Sequence, residues 1–177
     1  MILRAELRDI TTLDVDAIVN AANEALTPGG GVCGAIHGAA GPELAIACAK
    51  VAPCETGEAR ITPGFALRAP YVIHAVGPVW TGGRSREPQL LASAYLSSLK
   101  LAARHGLRRI AFPAISTGIY GYPLAAATAI AVETVRSIVE QGGAFKEVIF
   151  SCFDADTLAA YRACGVLDDA MPDSPSP

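Results

Sequence analysis

At 177 residues the chain is long enough for one domain around a single core. Its 51% hydrophobic content argues against a disordered chain, yet no apolar run reaches the roughly 18 residues that span a bilayer. The net charge of −3 argues against nucleic acid as a partner, so an anionic ligand would be neutralised mainly by backbone dipoles.

The N-terminus enters strand-like sequence without a signal peptide, so a cytoplasmic protein without membrane contact is expected. The five cysteines are Cys33, Cys48, Cys54, Cys152 and Cys164, an odd number without a C-x-x-C pair. They suggest small core hydrophobes rather than a disulfide framework or a zinc site. Cys33 and His37 stand four apart on a predicted helix, but two ligands are too few for a metal, and neither metal nor cofactor is expected.

Residues 1–7 read as a first strand, and Asp9 after it as a turn or cap former. Ala17-Ile18-Val19 reads as the end of a buried strand. Asn20 and Asn23 follow, then Thr27-Pro28, the glycines Gly29, Gly30 and Gly31, and a helical run from about Val32 to Val51 that breaks at Gly41-Pro42. Ala35, Ala39, Ala45 and Ala49 in that run predict close packing on a sheet. Strand, glycine loop and helix together form an anion cradle, because bare loop amides and a helix N-terminus both offer N–H groups. The loop is neither a P-loop nor G-x-G-x-x-G, so its chemistry alone leaves a phosphate site of unspecified type or a tight turn whose glycines supply positive φ.

Residues 58–62 and 71–76 are β-rich and separated by Pro63-Gly64. His74 in the second run reads as core, and His37 as structural. Pro88 suits the first turn of a helix to about residue 104, with Leu91, Tyr95, Leu99 and Ala102 on one stripe. Residues 109–113 form a buried strand, followed by Ser116-Thr117-Gly118-Ile119-Tyr120-Gly121 and a helix with Ala127, Ala131, Val135 and Ile138 on one face. This second cradle would let one domain hold a diphosphate. A last strand spans 147–152, then Phe153 and Asp154 open a short helix with Asp154 as N-cap. The alternation of strands and helices gives an α/β class with a largely parallel sheet. A domain over residues 1–165 and a disordered tail over 166–177 are expected.

The wording of the loops is more specific than their glycines. Asn20-Ala21-Ala22-Asn23, Gly29-Gly30-Gly31-Val32-Cys33-Gly34-Ala35-Ile36-His37 and Phe112-Pro113-Ala114-Ile115-Ser116-Thr117-Gly118-Ile119-Tyr120-Gly121 resemble the macrodomain family, within it the MacroD-type enzymes that remove ADP-ribose and O-acetyl-ADP-ribose adducts. The resemblance covers nearly the whole chain. It implies a three-layer α/β/α sandwich with a mixed sheet of about six strands and a ligand at the carboxyl ends of the strands. It further implies that Asp9 and Ile10 contact adenine, that Phe153 stacks on it, and that Asn20, Gly30, Gly31, Val32, Ser116, Thr117, Gly118 and Ile119 belong to the binding site. Tyr120 would cover the distal ribose; read by itself it could instead anchor its loop on the core.

Asn23 would hold the distal ribose and help place a water. Cys33 stands where the family carries an aspartate that orients or activates that water. A thiol is a weak hydrogen-bonding group with a reference pKa of about 8.5, so hydrolysis of O-acetyl-ADP-ribose or of ADP-ribosylated carboxylates is expected to be slow. A substrate phosphate could still activate the water. A reader of ADP-ribose or of ADP-ribosylated proteins without turnover is the alternative, and a phosphate-ester enzyme with Cys33 as nucleophile a third reading. A monomer is expected.

Overall fold

The computed structural model describes residues 1–142 and 144–168. Its strands are β1 (Ile2–Leu7), β2 (Ala17–Ala21), β3 (Ala59–Pro63), β4 (Tyr71–Ala75), β5 (Arg109–Phe112), β6 (Glu147–Cys152) and β7 (Leu167–Asp168). Its helices are α1 (Gly31–Ala40), α2 (Glu43–Val51), α3 (Glu87–Arg104), α4 (Leu124–Glu140) and α5 (Ala155–Ala163), with a 3-10 turn at Ile10–Thr12. The strands form one sheet in the order β3-β4-β2-β5-β6-β1-β7. From β4 to β1 the neighbours run parallel, and β3 is antiparallel to β4 at one edge. Pro63 ends that edge strand, where a missing N–H costs the ladder little.

Helices cover both faces. Alternate residues of each central strand point to opposite layers, the period of two that a strand imposes. Val19, Ile73, Phe112 and Phe150 pack with α3, α4 and α5, whereas Ile18, Val72, Ala111 and Ile149 pack with α1 and α2. The stripe Leu91, Tyr95, Leu99 and Ala102 on α3 is fully buried, as its spacing predicts. On α1 and α2 the inward face is different from the predicted one. Ile36, Ala40, Leu44 and Cys48 are buried, while Ala35, Ala39 and Ala49 point outward, where alanine contributes through helix propensity alone. Gly41, at φ 91°, separates the two helices in a conformation that favours glycine.

The sheet is the expected six strands plus the two-residue β7. That strand pairs with β1 through Arg4↔Leu167 and Ala5↔Asp168, and Val166 is buried. The packed chain therefore continues past Gly165, because its last residues find an open edge of β1 to pair with; the rest of the expected tail, residues 169–177, lies outside the described residues. The parallel run places the carboxyl ends of β1, β2, β4, β5 and β6 along one edge of the sheet.

Candidate functional site

A cavity of about 180 Å³ opens at that edge, between the loop that enters α1 and the loop that follows β5. Gly30 is the N-cap of α1 and offers no side-chain cap. Between residues 29 and 33 no backbone N–H donates to a carbonyl among the described residues, as the first turn of a helix dictates. These amides and the helix dipole face the cavity, an arrangement suited to an oxyanion. Gly34 is part of the construction: a Cβ there would lie 2.7 Å from the Gly29 carbonyl oxygen, so only glycine lets the loop fold back on the helix.

The second loop is held from behind. The Tyr95 hydroxyl donates to the Pro113 carbonyl at 3.3 Å and accepts from the Ile115 N–H at 3.2 Å, fixing the turn out of β5. Tyr122 N–H closes the loop onto the Ser116 carbonyl at 2.9 Å, and Trp80 N–H ties the Tyr120 carbonyl at 2.8 Å. Ser116 sits at φ 68°, a conformation serine seldom adopts, and its buried hydroxyl has no partner among the described residues. A strained residue with an unpaired buried hydroxyl at a cavity wall is placed to meet a ligand. Gly77, directly after β4, leaves room for it, since a Cβ there would overlap Ser116 Oγ. The two loops also approach each other at the mouth. Ile119 is 83% exposed, and a Cβ on Gly30 would lie 3.3 Å from its Cδ1.

Of the residues expected at the site, Asn23, Gly30, Gly31, Val32, Cys33 and the loop residues Ser116, Gly118, Ile119 and Tyr120 line this cavity. Asn23 is less free than expected. Its amide donates to the Thr27 carbonyl and accepts from the Thr27 N–H, both at 3.1 Å, closing its own turn. Thr117 turns back, its hydroxyl donating to the Ala114 carbonyl at 2.8 Å. Asp9, Ile10 and Phe153 lie outside the cavity at the ends of β1 and β6, which pair through Leu7↔Cys152. Asp9 caps the 3-10 turn through the Thr11 N–H at 2.9 Å, and Ile10 is buried. Phe153 is 97% exposed, so it is not a core residue, while Asp154 beside it caps α5 through the Thr157 N–H at 2.8 Å. Ala21, Ala22, Ala114 and Ile115 line the cavity from within the quoted motifs, and Gly77, which also lines it, was not foreseen. The signal for Gly77 was an apolar strand run ending directly in Gly-Pro, the same strand-to-glycine step as the first cradle.

Asn20 lies within β2, not beyond it, and faces inward at 1% exposure. The β2–β4 register sets it opposite His74. Its Nδ2 lies 3.1 Å from His74 Nδ1 and 3.7 Å from Cys33 Sγ. His74 Nε2 reaches the Thr62 hydroxyl at 2.9 Å. Burial, and secondarily the His37 charge, lower the His74 pKa to about 4, so the ring is neutral. Burial pushes the neighbouring Cys48 thiol up to about 11, with Cys33 adding to the effect. Cys33 itself is 6% exposed, and its Sγ–H points at the Thr27 carbonyl at 3.9 Å. No histidine ring lies within hydrogen-bond reach of that thiol among the described residues, which removes the support for a Cys33 nucleophile.

The sequence profile of the Macro domain family matches residues 19–131. The chain belongs to the Macro domain family. A macro domain-containing protein of Ralstonia nicotianae is 58% identical over 160 residues, covering 90% of this chain and 92% of its own. A protein of Cronobacter sakazakii named O-acetyl-ADP-ribose deacetylase is 53% identical, with 91% and 92% covered. The solved macrodomain of Oceanobacillus iheyensis with ADP superposes with a TM-score of 0.86 at 40% identity, over 90% of this chain and 87% of that one. The Trypanosoma brucei macrodomain in complex with ADP-ribose gives 0.86 at 46% identity, over 91% and 68%. Within this macro domain fold both loops stand at strand ends, as the resemblance implied.

Proposed function

We propose that this macro domain binds ADP-ribose and hydrolyses esters on its distal ribose, O-acetyl-ADP-ribose or a mono-ADP-ribosylated carboxylate side chain. The observation that carries the reading is the cavity between the unpaired amides of the loop entering α1 and the strained Ser116 loop, with no Lys or Arg among its lining residues. A diphosphate laid there receives its neutralisation from N–H groups and the α1 dipole. The exposed Phe153 face beside Asp9 offers a platform and a carboxylate for adenine at one end. Asn23 and Tyr120 stand at the other end, where the distal ribose would lie. Ligands seen in related structures and the names of related enzymes support the same reading.

A reader without turnover is the second reading, favoured by one observation: the Cys33 thiol is buried and engaged with Asn20 and Thr27. Calorimetry tests the shared part. ADP-ribose should bind in the micromolar range, near −8 kcal/mol, and AMP at least about tenfold more weakly because it fills only one cradle. Equal affinity for the two would overturn the two-cradle arrangement. Single-turnover release of ADP-ribose from O-acetyl-ADP-ribose then separates enzyme from reader.

A further inference from the structure

The binding cavity does not end at Asn23 and Tyr120. Beyond them lies a second cavity of about 550 Å³ that shares Asn23, Gly77 and Tyr120 with the first. With the diphosphate between the two loops, a substituent on the distal ribose would point into this second space. Its carboxylates are Glu24 and Glu87, and it is lined by no Lys or Arg.

The two carboxylates are in opposite states. Glu87 is 1% exposed and saturated. It accepts from Thr81 N–H at 3.0 Å and Oγ1 at 2.7 Å, Gly83 N–H at 3.1 Å and Ser85 N–H at 2.6 Å. These donors, the Thr81 hydroxyl foremost, hold its pKa down at about 2, so it is a poor proton acceptor. It organises the loop over residues 81–86 instead. Glu24 is exposed and only half engaged. Its Oε1 accepts from Thr56 Oγ1 at 2.8 Å and Thr56 N–H at 3.2 Å, while Oε2 meets no donor among the described residues. Its backbone is fixed as well, because Cys54 N–H donates to the Glu24 carbonyl at 2.9 Å. Glu24 directly follows Asn23 in sequence. It is therefore a carboxylate on the wall of the second cavity with one oxygen clamped and the other without a donor among the described residues.

We propose that Glu24 is the proton acceptor for the hydrolytic water in this macro domain, the part that the buried Cys33 thiol does not supply. The proposal rests on the ADP-ribose reading above. Water attacks the ester carbonyl carbon and gives its proton to Glu24 as the new C–O bond forms. The tetrahedral intermediate collapses, the bond to the ribose oxygen breaks, and the proton passes from Glu24 to that oxygen. ADP-ribose and the free carboxylic acid leave, and Glu24 is ionised again. The clamp from Thr56 keeps the carboxylate oriented, so little side-chain entropy is lost in the reaction. The second cavity is far larger than an acetyl group, so the same position also accepts an acyl group that is part of an amino-acid side chain.

Glu24→Gln tests this. Glutamine keeps an oxygen for Thr56, so the loop tie survives while the proton acceptor is lost. Single-turnover hydrolysis of O-acetyl-ADP-ribose should fall by about 10²–10⁴-fold, the usual worth of general-base help. The Kd for ADP-ribose by calorimetry should change by less than about threefold. The native pH–rate profile should lose its acidic limb in the variant. A variant as fast as the native protein would overturn the proposal, and so would one that loses rate and affinity in parallel, which marks Glu24 as a loop tie. Native protein that binds ADP-ribose but releases no acetate would also overturn it and leave the binding reading standing; failure to bind ADP-ribose would remove both. Should Glu24→Gln not fold, Glu24→Asp, with a carboxylate drawn back by one methylene, must lower kcat and leave the Kd in place.

Discussion

Replacing Phe153 by alanine removes an aromatic face that the fold itself does not use. The side chain is 97% exposed at the end of β6, so its loss empties no cavity and uncovers no neighbour. Stability should stay within about 0.5 kcal/mol of the native protein, as for surface changes in general. The same substitution at buried Phe112 or Phe150 would cost about 3–5 kcal/mol. A ring that serves as a base platform contributes about 1–3 kcal/mol of stacking. The Kd for ADP-ribose should therefore rise by about 5- to 150-fold. Paired calorimetry and thermal melts read both quantities on one preparation. Ribose 5-phosphate, which lacks the base, serves as control and should bind both proteins equally. A lower melting temperature with unchanged ADP-ribose affinity would refute the reasoning and make the ring part of the packing. Equal losses for ADP-ribose and ribose 5-phosphate would place the ring away from the base.

Two further predictions follow from the geometry. Gly34→Ala should gain about 0.5–1 kcal/mol of helix propensity, yet its Cβ would lie 2.7 Å from the Gly29 carbonyl oxygen, so the loop must move; ADP-ribose binding should weaken at least tenfold, about 1.4 kcal/mol, and unchanged binding would show that the loop shifts without cost. His74 takes up a proton near pH 4 in the folded protein against 6.5 as its ordinary value, so the unfolded chain binds the proton first as pH falls. Its contribution to stability is complete above pH 6.5 and declines as pH falls toward 4, by roughly 3 kcal/mol in all. Urea midpoints between pH 7.5 and 4.5, with the His74 ring resonances followed by NMR, check this; a ring that titrates near 6.5 would mean that it is not buried as described.

The layers, the parallel run and the helix stripes were legible in the sequence because each rests on local periodicity. The α3 stripe from Leu91 to Ala102 lies where a 3.6-residue period puts it. The alanine face of α1 and α2 misled for a physical reason: alanine favours a helix in any direction, so it carries no information on which side is buried. At the site, the glycine loop and the Ser116 loop announced themselves by composition, whereas Phe153 and Asp9 were named by the family resemblance alone. Gly77 carried only the weak signal of a strand run ending in Gly-Pro, and Glu24 carried none. That this glycine spares room for Ser116 is visible only once β4 and β5 are set on either side of β2. A glutamate clamped by Thr56 is visible only once the chain over residues 52–58 returns to the loop after β2. Asn20 reads as following the apolar run Ala17-Ile18-Val19, and only its pairing with His74 shows why it belongs to the strand.

The approach of the exposed Ile119 side chain to Gly30 has a kinetic consequence. ADP-ribose is shaped like a dumbbell, with a nucleoside at one end, a ribose at the other and a narrow diphosphate between. Where the two loops approach each other over the cavity, the Ile119 side chain stands over the waist of the dumbbell. It must turn aside to admit the ligand and again to release it. Ile119 is exposed, so this is a rotamer change, a motion far faster than domain closure. Affinity and residence time then answer to different atoms: the first to the amides of the loops, the second to one isoleucine that touches no part of the reaction.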